Sequence, residues 1–120
     1  MFLNSNLATT QYTITFDYDV LNTNSWLRIR KINGILYAKG AFYFNDTVTS
    51  ISAWQDIVVG QVTDWDNSSV TNLLLLTTIG YDMPTLGINI LDSGEIVITS
   101  HRDVSDINTM WFYGNGISML

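Results

Sequence analysis

The chain has 120 residues, of which 47% are hydrophobic and only 13% charged. That is the size of one domain, and it is too apolar to stay disordered. Eleven acids against five bases give a formal charge of −6, which repels phosphate backbones and argues against nucleic acid as the partner. There is no Cys, so disulfides and thiolate-held zinc are excluded, and no apolar run reaches the 18 residues of a membrane-spanning helix.

Ile, Thr and aromatic residues dominate over Ala, Glu and Lys, and ten of the acids are Asp, a turn residue. The chain therefore reads as all-β. Residues 1–11 read as an arm or leader, and the opening MFLNSNLATT lacks the basic and apolar regions of a signal peptide. Residues 12–120 form the expected single domain. Tyr12, Ile14, Phe16 and Tyr18 alternate with polar residues, the period of a strand. After the polar break LNTNS comes WLRIRKI, with Trp26, Arg28, Arg30 and Ile32 on one face and Leu27, Ile29 and Lys31 on the other. Asn33-Gly34 predicts a tight hairpin, since both residues tolerate positive φ. The return strand offers Leu36, Ala38, Gly40, Phe42 and Phe44 to the core. Its other face carries Ile35, Tyr37, Lys39, Ala41 and Tyr43. Tyr37 and Tyr43 are expected to be half-exposed or covered by a second subunit. Four of the five bases (Arg28, Arg30, Lys31, Lys39) fall in this hairpin, a small patch able to meet an anion.

A strand near 49–59 has irregular apolar spacing, which predicts a bulge or a change of face. Residues 61–69 read as a polar loop. The run VTNLLLLTTIG reads as a strand buried on both sides or a short helix, with its length and flanking Thr favouring the strand. Tyr81-Asp82-Met83-Pro84 is a turn. Leu86, Ile88 and Ile90 then pair in phase with Ile96 and Ile98 across Asp92-Ser93-Gly94. Residues 101–108 form a second polar loop. In the last strand, Gly114 and Gly116 mark a bend, a bulge or a close approach. About eight short strands at this spacing predict an antiparallel β-sandwich or jelly-roll-like barrel. Apolar residues on both faces of 35–44 and of the last strand exceed what one small interior can hold, which predicts a symmetric oligomer.

No catalytic constellation is visible. A triad would have to be built on the single His101, without a G-x-S-x-G elbow. The pairs Asp64 with Asp66 and Asp103 with Asp106 are more simply turn residues than the two carboxylates of a glycosidase. The Asp64–Asn67 loop gathers oxygen ligands without the Asp-x-Asp-x-Asp-Gly order of a calcium loop, so no metal or cofactor is assigned. The chain is read as a non-enzyme. Trp65, between Asp64 and Asp66, is either a plug over the core or a platform for a sugar, whose C–H face meets a ring while its hydroxyls meet carboxylates. His101, Arg102 and Asp103 offer two donors and an acceptor. These six residues are the candidate saccharide site.

The order of segments then becomes specific: WLRIRKINGILYAKGAFYF, SAWQDIVVGQVTD, YDMPTLGINILDSGEIVITS and WFYGNGISML. Over residues 26 to 120 this order resembles the C-terminal head module of receptor-binding proteins and tail fibres from phages of Gram-positive bacteria. The elements that carry it are Asn33-Gly34, Gly40, Trp54 with Ile57, Asp92-Ser93-Gly94, and Phe112 with Gly114. Where such heads often have a Leu-Pro-x-Gly-Tyr-Arg-Pro turn, this chain has GQVTDWDNSS. The resemblance implies a homotrimeric β head at the phage tail tip, outside the host cell, that binds host cell-wall polysaccharide and joins other tail or baseplate proteins. A purely structural baseplate module and a monomeric carbohydrate-binding module are the alternatives.

Overall fold

The computed structural model describes residues 9–80 and 83–119. Residues 1–8 of the expected arm, and Tyr81 and Asp82 of the expected turn, lie outside them. The described residues form eleven strands: β1 (Thr9–Gln11), β2 (Ile14–Phe16), β3 (Trp26–Ile32), β4 (Ile35–Tyr43), β5 (Ser50–Ile51), β6 (Asp56–Val62), β7 (Val70–Leu76), β8 (Leu86–Ile90), β9 (Glu95–Ser100), β10 (Val104–Ser105) and β11 (Trp111–Met119). They build three antiparallel sheets, ordered β1-β3-β4-β11, β2-β6-β9-β8-β7 and β5-β10. The surplus over eight comes from β1, β5 and β10. Two or three residues are too few to show a period in the sequence.

The two hairpins seen in the sequence form as expected. Asn33 (φ 51°) and Gly34 (φ 81°) make the two-residue turn, so Ile32 pairs with Ile35 and Arg28 with Lys39. Gly94 (φ 89°) turns β8 into β9, with Ile88 opposite Ile98 and Ile90 opposite Ile96. The strand expected near 49–59 is not continuous: a turn at Ser52–Gln55 divides it into β5 and β6, which lie in different sheets, and β6 itself carries a register shift between Val58 and Gly60. The shift buries Val59 while Val58 stays exposed.

Two further segments differ from expectation. Residues 12–18 do not form one strand. β1 joins the four-stranded sheet and β2 the five-stranded one, and buried Tyr12 sits at the crossing. The VTNLLLL run is a strand, but it is not buried on both sides. Asn72 takes a positive φ of 53°, the register shifts, and Leu73 and Leu74 both turn inward while Leu75 is half-exposed.

The inner faces of the two large sheets share one core. Phe42, Phe44 and Phe112 are fully buried there with Ile29, Leu36, Leu74, Leu86, Ile88 and Ile98. Each such side chain contributes about 1.5–3 kcal/mol of transfer free energy. β11 pairs with β4 along nine residues, from Trp111 opposite Tyr43 to Met119 opposite Ile35. Its inward Gly114 and Gly116 lie against the backbone of β7. A Cβ on Gly114 would stand 2.1 Å from the Leu75 carbonyl oxygen, and one on Gly116 2.1 Å from that of Leu73. Thr77 and Tyr113 exchange two backbone hydrogen bonds of 2.8 Å beside this contact. Close approach is thus what the two glycines serve, and it ties the two large sheets together. No helix among the described residues is long and apolar enough to cross a membrane.

Candidate functional site

The Asp64–Asn67 loop is stapled down by its own polar groups. Lys31 Nζ donates to Asn67 Oδ1 (2.8 Å), Asn67 Nδ2 donates to the Tyr12 hydroxyl (2.9 Å), and that hydroxyl donates to Asp66 Oδ1 (2.7 Å). Asp64 Oδ1 accepts the Thr13 N–H at 3.0 Å. Burial raises the Tyr12 pKa above its ordinary value. Its bond from Asn67 works against this, and its bond to Asp66 and the charges of Asp66 and Asp64 add to it. Trp65 is half-buried and packs on the core, 5.2 Å from the Tyr12 ring. Its indole N–H is buried without a hydrogen-bond partner among the described residues. Trp65 therefore plugs the core. Asp66 and Asn67 still border a shallow polar hollow with Lys31, Ser68 and Ser118.

The second loop lies elsewhere. Thr99, just before it, pairs with Asp56 at the start of β6, whereas Asp64 follows the end of β6. Six residue steps of strand, about 20 Å, separate the two loops within one chain. His101 is exposed and Arg102 half-buried. Ser100 Oγ donates to the Arg102 carbonyl at 2.7 Å, and Asp103 Oδ1 accepts the Ala53 N–H at 2.7 Å. The structure does not bring the six candidate residues together in one chain. Nor does any group of three or more His, Cys, Asp or Glu among the described residues gather to hold a metal ion.

A third surface is better equipped: the outer face of the four-stranded sheet. Its composition follows from pairing. Trp26, Ala41 and Tyr113 form one row across β3, β4 and β11; Arg28, Lys39 and Asn115 form the next; and Gln11, Arg30, Tyr37 and Ile117 form a third that reaches β1. Trp111 stands opposite Tyr43, ring centroids 4.8 Å apart, and stacks on Tyr113 at 6.2 Å with planes 19° apart. Ala41, between Trp26 and Tyr113, is itself buried, and the two rings that flank it are 40% and 50% exposed. The Arg28 guanidinium lies 5.2 Å from the centroid of the Trp26 ring, a cation–π distance.

Two grooves run along this face. One of about 640 Å³ is lined by Gln11, Arg28, Arg30, Tyr37, Lys39 and Asn115. The other, about 470 Å³, lies between Trp26, Tyr113, Leu75 and Thr77. Lys39 and Asn115 line both, so aromatic and basic grooves form one trough. The outer positions of these four strands hold three of the chain's five bases and no Asp or Glu. Arg28 directly opposite Lys39 is a like-charge pair, which weakens a sheet by about 0.2–1 kcal/mol.

The hairpin half of this face was accessible from the sequence, because the Asn33-Gly34 turn sets Arg28 opposite Lys39 and Trp26 opposite Ala41. The contribution of β11 was not, since no local signal pairs Tyr113 with Ala41. No family model matches the chain, and neither a curated protein nor a solved structure matches it.

Proposed function

We propose that the chain is a non-catalytic recognition module that holds a saccharide polymer bearing anionic groups on the outer face of β1-β3-β4-β11. The observation that carries this reading is the Arg28–Lys39 pair, set without a carboxylate on its face beside the partly exposed rings of Trp26 and Tyr113. Rings meet the C–H faces of sugars. Gln11, Asn115 and Tyr37 offer hydrogen bonds to hydroxyls, and the three cations take phosphate or carboxylate groups. Nucleic acid would suit the same contacts locally, but the net charge of −6 opposes an extended phosphate backbone.

The resemblance to phage receptor-binding heads supports the same reading and supplies its setting. In it the domain is a β-sandwich or jelly-roll-like head, homotrimeric, at the tail tip of a virion, and adheres to the host cell-wall polysaccharide. Three copies of a shallow face on a repetitive polymer would raise avidity about 10²–10⁴-fold.

The test is binding to polysaccharide released from purified Gram-positive cell walls, for the wild type and the double variant Arg28→Ala/Lys39→Ala. The expected loss is about 10- to 100-fold, as for charge-assisted hydrogen bonds, with wild-type affinity falling as salt rises. Undiminished binding by the double variant, or tighter binding of a short oligothymidylate, sinks the reading. Light scattering on the same sample gives the assembly. A mass near three times 13.5 kDa supports the trimer, and a single-chain mass favours a monomeric carbohydrate-binding module.

A further inference from the structure

Trp54 occupies a position that its residue type makes costly. It stands third in the turn Ser52–Gln55, closed by the Gln55 N–H donating to the Ser52 carbonyl at 3.0 Å. Its φ is +63°. Gly or Asn adopts that conformation readily, whereas a bulky residue there is a strained outlier. Burial gives nothing back, since the side chain is 73% exposed. It takes part in no ring or cation contact with a described residue.

The turn is nonetheless held firmly. The Trp54 N–H donates to the Ser100 carbonyl at 2.7 Å, the Ala53 N–H to Asp103 Oδ1 at 2.7 Å, and the Ser52 N–H to Gln55 Oε1 at 2.9 Å. These bonds fasten the backbone that carries the exposed indole beside the loop of exposed His101 and Asp103. The rest of the turn gains nothing from an indole, so the strain is tolerated for a contact made outside the chain.

We infer that Trp54 is a second saccharide platform, which stacks on a neutral sugar ring of the polymer while His101 and Asp103 address its hydroxyls. This rests on the saccharide reading above but uses a different surface. It gives the His101–Asp103 loop the ring that Trp65, 5.2 Å from Tyr12 and packed on the core, does not provide.

The test is Trp54→Asn, which keeps the left-handed turn and removes the ring. It is compared with wild type and Arg28→Ala/Lys39→Ala for binding to polysaccharide released from Gram-positive cell walls, and for thermal unfolding. The expected result is a melting temperature equal to wild type or up to about 5 °C higher, with affinity about 10-fold or more lower. Unchanged affinity in Trp54→Asn, with loss in the double variant, overturns the Trp54 platform and leaves the outer face standing. Loss in Trp54→Asn alone supports the platform and overturns the outer face. A melting temperature lowered by about 5 °C or more makes the indole structural and overturns the proposal. A wild type that binds no polysaccharide overturns both readings.

Discussion

The outer faces of the two large sheets carry polar residues in opposite ways. On the five-stranded sheet the polar groups answer one another from strand to strand. The Asn72 N–H donates to Asn89 Oδ1 (2.7 Å), Asn89 Nδ2 donates to Thr99 Oγ1 (3.2 Å), and Thr99 Oγ1 donates to Asp56 Oδ1 (2.9 Å). The relay crosses β7, β8, β9 and β6 and ends on a carboxylate, so every donor in it meets an acceptor. On the four-stranded sheet the row Arg28–Lys39–Asn115 holds two cations side by side, and no acid stands on that face. Each face covers the same core, so core stability does not require this difference. The polar groups of the first face are paired within the fold; the second carries cations with no carboxylate beside them on the same face.

The largest expected effect comes from the contact that holds the two sheets together. Gly116→Ala would drive a Cβ into the Leu73 carbonyl, 2.1 Å away, which is backbone and has nowhere to move. The expected loss is about 3 kcal/mol, at the upper end of overpacking costs, read as a lower urea midpoint. Both faces should fail in that one transition. An unchanged midpoint would mean that β7 does not lie on β11.

Next in size is the contrast itself. Arg28→Ala/Lys39→Ala removes a repelling pair, so unfolding free energy should hold or rise by a few tenths of a kcal/mol while polysaccharide affinity falls as described above. A large loss of stability would show that the two cations serve the fold, and the two faces would then differ in appearance only.

How much of this was legible in the sequence depends on the range of the contacts. A two-residue turn such as Asn33-Gly34 fixes the register of its hairpin, and alternation then assigns Trp26, Arg28 and Arg30 to one face. Ile88, Ile90, Ile96 and Ile98 were placed by the same logic. Tyr113 reaches Ala41 only through pairing between strands far apart in the chain, and no local pattern encodes that. The choice between plug and platform at Trp65 was open in the sequence for a related reason: one oxygen of each of Asp64 and Asp66 is held by Thr13 and Tyr12, more than 50 positions away. Trp54 broke a local rule, since its residue type disagrees with its backbone. Sequence carries no φ angle, so that conflict became visible only with the fold.

A smaller effect probes the paired face. Asn89→Ala removes the middle of the relay and leaves the Asn72 N–H without its acceptor, while the Thr99 hydroxyl keeps its bond to Asp56. The face is half-open to water, which limits the cost to about 1–2 kcal/mol. Polysaccharide affinity should not change. A loss of affinity at full stability would move the binding surface to the five-stranded sheet and reverse the comparison.

The smallest effect belongs to Tyr12, and it appears only in alkali. Burial above all holds its pKa above the ordinary tyrosine value; the bond from Asn67 opposes this, and the neighbouring Asp66 and Asp64 add to it. The folded state therefore favours the neutral phenol more than the unfolded chain does. That contribution is fully present below about pH 10, where an unfolded tyrosine begins to ionise, and is lost as pH climbs towards the higher folded value. Tyr12→Phe removes the titrating group along with its two hydrogen bonds. The variant should be less stable than wild type near neutrality, and the gap between them should narrow as melting is followed from about pH 8 to about pH 11. Parallel curves would show that Tyr12 titrates alike in both states, leaving the relay from Lys31 to Asp66 no part in holding its proton. A narrowing gap would place this end of the molecule with the self-satisfied face, in contrast to Arg28, Arg30 and Lys39, whose face carries no carboxylate.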